Sequence, residues 1–421
     1  SAGTGKTSTI VGRIAHLLHK GTEPSKILLL TFTNKAAGEM IARLERYFPK
    51  KIVSKIESGT FHAVSYRWLK EIYPNLALKQ PSELKTLFRS IYEKRNFERM
   101  NLTMQPFSAT YLYEMYSLYQ NASLESFDIW FLEKYPDHEP VMDIYMDITQ
   151  EFEKEKIDYG FASFNDLLLR MKSHLEENTI PFEEVLVDEY QDTNTLQSAL
   201  IDVLKPKSLF CVGDYDQSIY AFNGANIENI ATYSKRYPQA SVFTLKTNYR
   251  STAPILSLAN RVIERNERIY PKKLEVGRDV KSYPPKLLMY NDLFEQYQSI
   301  AEGIKRTHVP NDQIAVIFRN NSSADGVEAS LREYGIPCKR KGGTSFFDTK
   351  EIKFLLDLLA LLVNPKDMMA FIHVFEYARG VGSALSKEFF QCFLHFGHRN
   401  FTQHVFYPNI HNLSNRNPHN N

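Results

Sequence analysis

The first seven residues, Ser1–Thr7, constrain this chain more than any other stretch. Their sequence, SAGTGKT, matches the end of a phosphate-binding loop, G-x-x-x-x-G-K-[ST], whose opening glycine would stand one place before Ser1. Small residues let backbone N–H groups surround a phosphate, and the start of the next helix adds the positive end of its dipole. The pattern predicts a nucleotide site, with Lys6 at the β- and γ-phosphates and Thr7 on Mg²⁺. The alternative, a glycine-rich turn before a helix, is disfavoured because apolar residues recur at helical spacing over Ile10–Leu18.

Length and composition set broad limits on the class of protein. A chain of 421 residues corresponds to about two to four domains. A net charge of +2 excludes a simple polycationic nucleic-acid binder, but it allows a groove made of local basic and aromatic side chains. The three cysteines, Cys211, Cys338 and Cys392, form no C-x-x-C pair and no disulfide framework. They fit a reducing compartment, so a cytoplasmic location is expected.

Short apolar runs that alternate with helical patterns predict an α/β fold with parallel sheets and helical insertions. The predicted strands are 26–32, 184–189, 209–214, 241–245, 286–290 and 313–318. Residues 69–158 lose the strand pattern and are predicted to be a helical insertion. Its aromatic stripe, Tyr111–Tyr119, is interpreted as helix-packing core rather than a base-stacking surface. The Asn- and His-rich residues 395–421 are predicted to be irregular, without the spacing of metal ligands.

Asp188 and Glu189 end one of the predicted buried strands. An acid at the carboxyl end of a strand can hold Mg²⁺, and its neighbour can polarise the attacking water, which is the acidic half of a phosphate-loop NTPase. The alternative is an acidic strand end exposed to solvent. The preceding apolar run and the loop at Ser1–Thr7 favour the catalytic interpretation.

Two further segments carry polar groups suited to a nucleotide site. Gln217 follows a predicted strand and is suited to sense a γ-phosphate through hydrogen bonds. Tyr220 and Phe222 come next, either as faces for base stacking or as core residues. Arg250 begins a helix after the last strand of the first core, and it is either an arginine finger or a surface cation.

The motifs, in this order, resemble those of superfamily 1 DNA helicases of the UvrD/Rep/PcrA type. The resemblance runs from Ser1 to about Asp367. It is carried by motif I (Gly3–Thr7), motif Ia (Thr31–Ala37), Gly59–Ala63, motif II (Val187–Asp192), motif III (Gly213–Tyr220), motif IV (Asn248–Thr252), Ile314–Val316 and Phe346–Lys353. Two positions depart from the family: Asn223 and Ser8 stand where relatives usually or often have Arg.

The resemblance implies RecA-like P-loop NTPase cores, with ATP between two of them and single-stranded DNA across their tops. The implied segments are a first core in two parts (1–68 and 159–249), the helical insertion (69–158), a partial second core (250–343), and the start of a helical domain with an irregular tail (344–421).

The resemblance also assigns roles to individual residues. The catalytic set is Lys6, Asp188, Glu189 as activator of water, Gln217 as the link between γ-phosphate and DNA, and Arg250 as the finger. Mg²⁺ would be held by Thr7 and Asp188. The ATP-binding set is Ser1, Ala2, Gly3, Thr4, Gly5, Lys6, Thr7, Ser8, Tyr249 stacked on adenine, and Arg250. The DNA path would be lined by Phe32, Asn34, Thr60, His62, Tyr220 and Phe222.

The implied activity is ATP-dependent, 3′-to-5′ movement on single-stranded DNA with separation of duplexes in repair or replication. The family's motifs V and VI are not found in 368–421, and its strand before the phosphate loop is missing. We therefore expect a chain cut at both ends, poorly anchored at its first residues and weak or inactive in unwinding by itself.

Two alternative functions are considered. A helicase–nuclease subunit of the RecB/AddA kind shares motifs I to IV, but the compact insertion at 69–158 argues against it. A non-catalytic DNA-binding module would keep only the fold. The intact Lys6, Asp188 and Glu189 argue against that second alternative.

Overall fold

The continuous apolar run Ile27–Thr31 is a strand with every residue buried in the computed structural model of this chain. The structure describes residues 3–100, 102, 104–178, 180, 182–266, 272–278, 280, 282–341 and 349–396. Part of one family landmark, 346–348, and the tail beyond residue 396 lie outside these ranges. The chain divides into two compact units: Ser1–Tyr283 with Phe375–His395, and Pro284–Val374 with Phe396–Asn421.

The secondary structure alternates between short strands and longer helices. The strands are β1 (Ile27–Thr31), β2 (Glu57–Thr60), β3 (Ala77–Leu78), β4 (Phe161–Ala162), β5 (Glu184–Val187), β6 (Ser208–Cys211), β7 (Thr247–Asn248) and β8 (Glu275–Val276). The helices are α1 (Lys6–His19), α2 (Asn34–Leu44), α3 (Lys50–Val53), α4 (Phe61–Ile72), α5 (Pro81–Glu93), α6 (Ala109–Ala122), α7 (Phe127–Lys134), α8 (Met142–Asp158), α9 (Phe164–Glu177), α10 (Thr195–Leu204), α11 (Glu228–Ala231), α12 (Tyr233–Arg236), α13 (Ala253–Ile263), α14 (Leu293–Arg306), α15 (Asn321–Glu333), α16 (Lys350–Val363), α17 (Met368–Phe375) and α18 (Ser383–Phe396). No helix in the described part of the chain is both long and apolar enough to cross a membrane.

Four of the strands form the sheet of the first unit, all parallel and in the order β2-β1-β5-β6. Ile27 lies opposite Glu184, and Leu30 lies opposite Val187. Successive residues of a strand point to opposite faces, so β1 and β5 supply apolar side chains to two cores. One core packs against α1 and α2, and the other against α4, α9 and α10. The predicted α/β class with a parallel sheet is confirmed here.

The predicted insertion, residues 69–158, contains α5 to α8 and the two-residue strand β3. Tyr113 and Tyr116 of α6 are buried, and both make edge-on ring contacts with phenylalanines of the insertion. Their interpretation as helix-packing core is confirmed. Lys156 of α8 is buried and lies 2.7 Å from the carboxylate of Asp166 on α9, so this ion pair joins the insertion to a helix of the sheet layer.

Helix α18 belongs to the first unit, although it comes late in the sequence. The hydroxyl of Ser383, its first residue, lies 3.3 Å from Glu93 Oε2 at the end of α5. Lys387 pairs with Glu155 of α8. These contacts fix α18 on the helical insertion.

Three predicted strands are wrong. Residues 241–245, 286–290 and 313–318 have no strand pairing, and Phe243, Met289 and Ile317 are each at least 85% exposed. A parallel strand is stable only when neighbours pair its N–H and C=O groups, and no described strand lies beside these segments. In the described part of the second unit, α14 and α15 instead pack on each other through Ala301 and Leu331.

Candidate active site

The carboxyl ends of the four parallel strands meet at one edge of the sheet, where open α/β sheets bind their ligands. About half of the predicted site residues lie at or after these ends, whereas the phosphate loop precedes β1, and Tyr249 and Arg250 follow β7. Phe32 and Asn34 follow β1, and Thr60 ends β2. Asp188 and Glu189 follow β5, and motif III follows β6. Residues that are far apart in sequence are therefore brought to one edge of the first unit.

The phosphate loop depends on two glycines with left-handed backbone angles. Gly3 has φ +74° and Gly5 has φ +88°, conformations that other residues adopt only with strain. Gly5 precedes Lys6, the first residue of α1, and no side chain caps this helix. Such a helix start presents backbone donors to an anion. In the same loop, Thr4 is buried, Thr7 is half-buried and Ser8 is exposed, whereas Ser1 and Ala2 lie outside the described residues.

Lys6 is buried, and its Nζ forms an ion pair with Glu189 Oε2. Glu189 has φ +49°, a left-handed conformation that costs about 1–2 kcal/mol for a residue with a Cβ. Strained backbone of this kind persists where the surroundings determine it, and it is concentrated at functional sites. The geometry thus joins the phosphate-loop lysine to the acid predicted to activate water.

The carboxyl group of Asp188 is suited to a hard cation. Burial, and then the charge of Glu189, raises the pKa of Asp188 to about 6. Its Oδ1 is buried and has no hydrogen-bond partner among the described residues. A buried acceptor without a partner costs free energy unless a bound ligand interacts with it. Mg²⁺ in nucleotide sites takes one or two protein oxygens together with phosphate oxygens. Asp188 and the Thr7 hydroxyl therefore fit the predicted metal. In the described part of the chain, no group of three or more His, Cys, Asp or Glu forms a metal site by itself.

Gln191 connects motif II to motif III, a role that the sequence did not suggest. Its side chain is buried, and Nε2 donates to Glu189 Oε2 at 3.0 Å. Its Oε1 accepts from the backbone N–H of Asp214 at 2.8 Å. A Cβ at Gly213 would lie 2.9 Å from this Oε1, so the glycine permits the close approach. Within the described residues, Gln217 makes no hydrogen bond to Lys6 or Glu189; its amide donates to Asp214 Oδ2.

The motif IV segment packs against the phosphate loop. The backbone N–H of Tyr249 donates to the carbonyl of Gly3 at 2.8 Å. A Cβ at Gly3 would lie 2.4 Å from the Cβ of Arg250, so only glycine permits this packing. Asn248 Oδ1 accepts from the N–H groups of Arg250 and Ser251 at 3.0 and 2.7 Å, which fixes the turn. The side chains of Tyr249 and Arg250 are exposed beside the loop.

Three aromatic side chains, two exposed and one half-buried, form a row at the same edge of the sheet. The rings of Phe32 and Tyr220 lie 4.8 Å apart, and those of Tyr220 and Phe222 lie 6.0 Å apart. Phe222 is 75% exposed and Phe32 is 44% exposed, so neither is a core residue. Flat exposed rings of this kind suit bases of any sequence.

The remaining predicted DNA residues form a second group beside β2. Asn34 Oδ1 accepts from the N–H of Thr60 at 3.4 Å, and the Thr60 hydroxyl accepts from the N–H of Ala63 as the cap of α4. His62 meets Phe164 edge-on at 5.8 Å between ring centroids. Burial lowers the pKa of His62, which keeps its imidazole neutral at neutral pH. Sequence reasoning missed Phe164, whose position on α9 has no local signal.

Comparison with known proteins supplies the family. Residues 1–238 match the UvrD/REP helicase N-terminal domain, and residues 243–407 match the UvrD-like helicase C-terminal domain. The chain is 33% identical to the protein named ATP-dependent DNA helicase PcrA of Leuconostoc citreum over 405 residues, which cover 91% of this chain and 52% of the relative. The protein of the same name from Bacillus subtilis is also 33% identical, with 91% and 53% covered.

The chain spans about half the length of the curated relatives that it matches. The two matched domains nevertheless account for most of the chain, and the phosphate loop, the acids after β5 and motif III lie in the first of them. This chain therefore belongs to the UvrD/REP helicase family.

Proposed function

We propose that this chain binds and hydrolyses ATP and couples hydrolysis to movement on single-stranded DNA. The observation that carries the proposal is the ion pair between the buried Lys6 and the half-buried Glu189, beside the unpartnered oxygen of Asp188. A phosphate clamp, a candidate water activator and a candidate metal ligand are thereby gathered at one strand end. Phosphoryl transfer needs this combination, because its catalysis is mostly positioning and electrostatic stabilisation.

Each residue near the phosphates has a proposed task. Lys6 exchanges its carboxylate partner for the β- and γ-phosphates, which leaves Glu189 able to orient water. Thr7 and Asp188 hold Mg²⁺, which when bound neutralises phosphate charge. Tyr249 stacks on the adenine, and Arg250 stabilises charge on the transferred group. Ser1, Ala2, Gly3, Thr4, Gly5 and Ser8 complete the ATP-binding loop.

The proposed DNA path runs over the row of aromatic rings and the second group of residues beside β2. Phe32, Tyr220 and Phe222 stack on bases, and Asn34, Thr60 and His62 line the neighbouring stretch. Gln217 reports the state of the γ-phosphate to this path, because motif III carries both Gln217 and Tyr220. Stacking tolerates any base, so the binding we expect is independent of sequence.

The direction of movement on DNA and the cellular process that it serves are proposed from the family resemblance. We propose 3′-to-5′ movement and a cytoplasmic location; separation of duplex DNA in repair or replication is proposed for the intact protein, and weak or no unwinding for residues 1–421 alone. The named relatives are DNA helicases, which does not favour a helicase–nuclease subunit. A non-catalytic DNA-binding remnant is the remaining alternative, and it predicts DNA binding without ATP turnover.

The test is ATP hydrolysis by the chain with and without an oligo(dT) strand. We expect stimulation by DNA, and a loss of about 100-fold or more in Glu189→Gln with retained binding of a fluorescent ATP analogue. Glu177→Gln, at an exposed site on α9, is the matched control and should keep the original rate. DNA binding without hydrolysis would contradict the proposal and favour the non-catalytic remnant.

A further inference from the structure

Lys272, which lies between α13 and β8, is paired with motif III. Its side chain is only 10% exposed, and its Nζ forms an ion pair with Asp214 Oδ1. The same Nζ lies 3.5 Å from Asp216 Oδ2. An ammonium group at this depth has lost much of its hydration and needs such partners. Lys272 is 58 residues from Asp214 and outside every motif that carries the family resemblance.

Asp214 organises the turn that presents Gln217. It precedes the single 3₁₀ turn Tyr215–Gln217, and its Oδ1 accepts from the N–H of Asp216 at 3.3 Å. Its Oδ2 accepts from the side-chain amide of Gln217. An ionised carboxylate can only accept hydrogen bonds, so it selects the amide orientation in which Nε2 faces Asp214. The orientation of Gln217 therefore depends on the charge state of Asp214.

Lys272 maintains that charge state. Burial alone would raise the pKa of Asp214, but several interactions, of which the hydrogen bond from Lys272 is the strongest, hold the pKa at about 2. Asp214 is 2% exposed, so water cannot replace the ammonium group well. Without Lys272, the carboxylate would lose a cation that both lowers its pKa and holds its Oδ1 in place. A protonated or displaced carboxylate would release or reorient the Gln217 amide.

We propose that Lys272 is a positioning residue for ATP hydrolysis, which acts through Asp214 to fix the side chain of Gln217. The inference rests on the proposed function, because it takes Gln217 as the γ-phosphate sensor. It adds a residue that does not contact the nucleotide itself. Its effect is expected on turnover more than on ATP binding, because positioning matters most where charge moves in the transition state.

The experiment compares DNA-stimulated ATP hydrolysis by the chain and by Lys272→Met. We expect kcat to fall about 10- to 100-fold, with less than about a threefold change in KM for ATP. Lys272→Arg keeps the charge and should restore most of kcat. Lys273→Met removes an exposed lysine next in sequence and should behave as the unmodified chain. Retained binding of a fluorescent ATP analogue by Lys272→Met excludes general misfolding as the cause.

A double substitution tests the route through Gln217. If Lys272 acts through this residue, Lys272→Met adds little to the loss caused by Gln217→Ala. Multiplied losses in the double variant, or a kcat for Lys272→Met equal to that of Lys273→Met, would overturn the inference while leaving the proposed function standing. Absence of ATP hydrolysis in the unmodified chain would instead contradict the proposed function, on which the inference depends.

Discussion

Lys6 of the phosphate loop has its positively charged ammonium group beside Glu189, just after the end of β5. The ammonium group is buried and paired with Glu189, so its charge is compensated within the protein. A γ-phosphate would compete with Glu189 for the same ammonium. Binding of nucleotide would then release the acid for its proposed work on water. Under the proposed function, the ion pair is the nucleotide-free contact between two groups that we expect to act separately during hydrolysis.

Lys6→Ala is expected to abolish DNA-stimulated ATP hydrolysis. A lost phosphate clamp removes electrostatic stabilisation of the transition state, for which a reduction in kcat of about 100-fold or more is typical. Steady-state hydrolysis with oligo(dT) measures the effect. Lys20→Ala, at an exposed position after the same helix, is the control. A near-original rate in Lys6→Ala would contradict the assignment of the phosphate loop.

Asp192 gives a pH-dependent prediction for stability. Burial, and then the charge of Glu189, raises its pKa from 3.8 to about 6. The folded protein therefore binds this proton more tightly than the unfolded chain does, so the stabilisation is complete below about pH 4 and is lost as the pH rises through 6. Asp192→Asn removes the ionisation and should unfold at a higher temperature than the unmodified chain at pH 7.5.

The difference between the two unfolding temperatures should narrow as the pH falls from 7.5 to 5, which thermal denaturation at several pH values measures. Asp158→Asn, at an exposed position at the end of α8, should show little pH-dependent difference. A lower unfolding temperature for Asp192→Asn at pH 7.5 would mean that the ionised carboxylate is stabilising there.

Among the elements, α8 and α9 are joined by a buried ion pair. Lys156 Nζ lies 2.9 and 2.7 Å from the two carboxylate oxygens of Asp166, and both side chains are at most 5% exposed. Asp166 also accepts from the N–H of Ser163 in the capping box of α9. The Asp166 carboxylate thus caps the N-terminus of α9 and also pairs with Lys156 of α8 in the insertion.

Lys156→Met is expected to lower the free energy of unfolding by about 3–5 kcal/mol, because it leaves the Asp166 carboxylate buried without its cation. Chemical denaturation measures the change. Lys154→Met, on the exposed face of the same helix, is the matched control and should change stability by less than about 0.5 kcal/mol. Equal stabilities of the two variants would contradict the importance of this pair for the insertion.

Sequence patterns predicted the elements that local composition determines, and they failed where pairing determines the outcome. The apolar runs that became β1 and β5 are strands because β2 and β6 complete their hydrogen bonds. Residues 286–290 have a similar apolar pattern, but they lie beside no described strand and remain exposed. The same distinction holds in the site. The sequence motifs identified Lys6 and Glu189 as site residues. The contacts of Gln191 and Lys272 arise from tertiary packing, and no pattern in the local sequence indicates them.

On the scale of the whole molecule, charge and aromatic exposure together set the expected mode of DNA binding. The net charge is only +2 over 421 residues, so long-range attraction to phosphates is weak. The exposed rings of Phe32 and Phe222, together with the half-buried ring of Tyr220, supply an attraction that does not depend on charge. We therefore expect stacking to contribute much of the affinity for single-stranded DNA and salt to modulate it modestly.

The substitution Phe222→Ala tests how much stacking contributes to the affinity for single-stranded DNA. Loss of one stacking face should weaken binding to oligo(dT) by about 1–3 kcal/mol, or roughly 5- to 150-fold. Each phosphate neutralised by a cation contributes about −0.7 to the slope of log affinity against log salt concentration, and Phe222 neutralises none. Fluorescence anisotropy over a range of NaCl concentrations should then give parallel plots of log affinity against log salt concentration for the unmodified chain and for Phe222→Ala.

Phe243→Ala is the control, because it removes another highly exposed ring of the same unit that lies outside the proposed path. Its affinity for oligo(dT) should equal that of the unmodified chain at every salt concentration. A changed slope for Phe222→Ala, or equal weakening by both substitutions, would contradict a base-stacking role for Phe222.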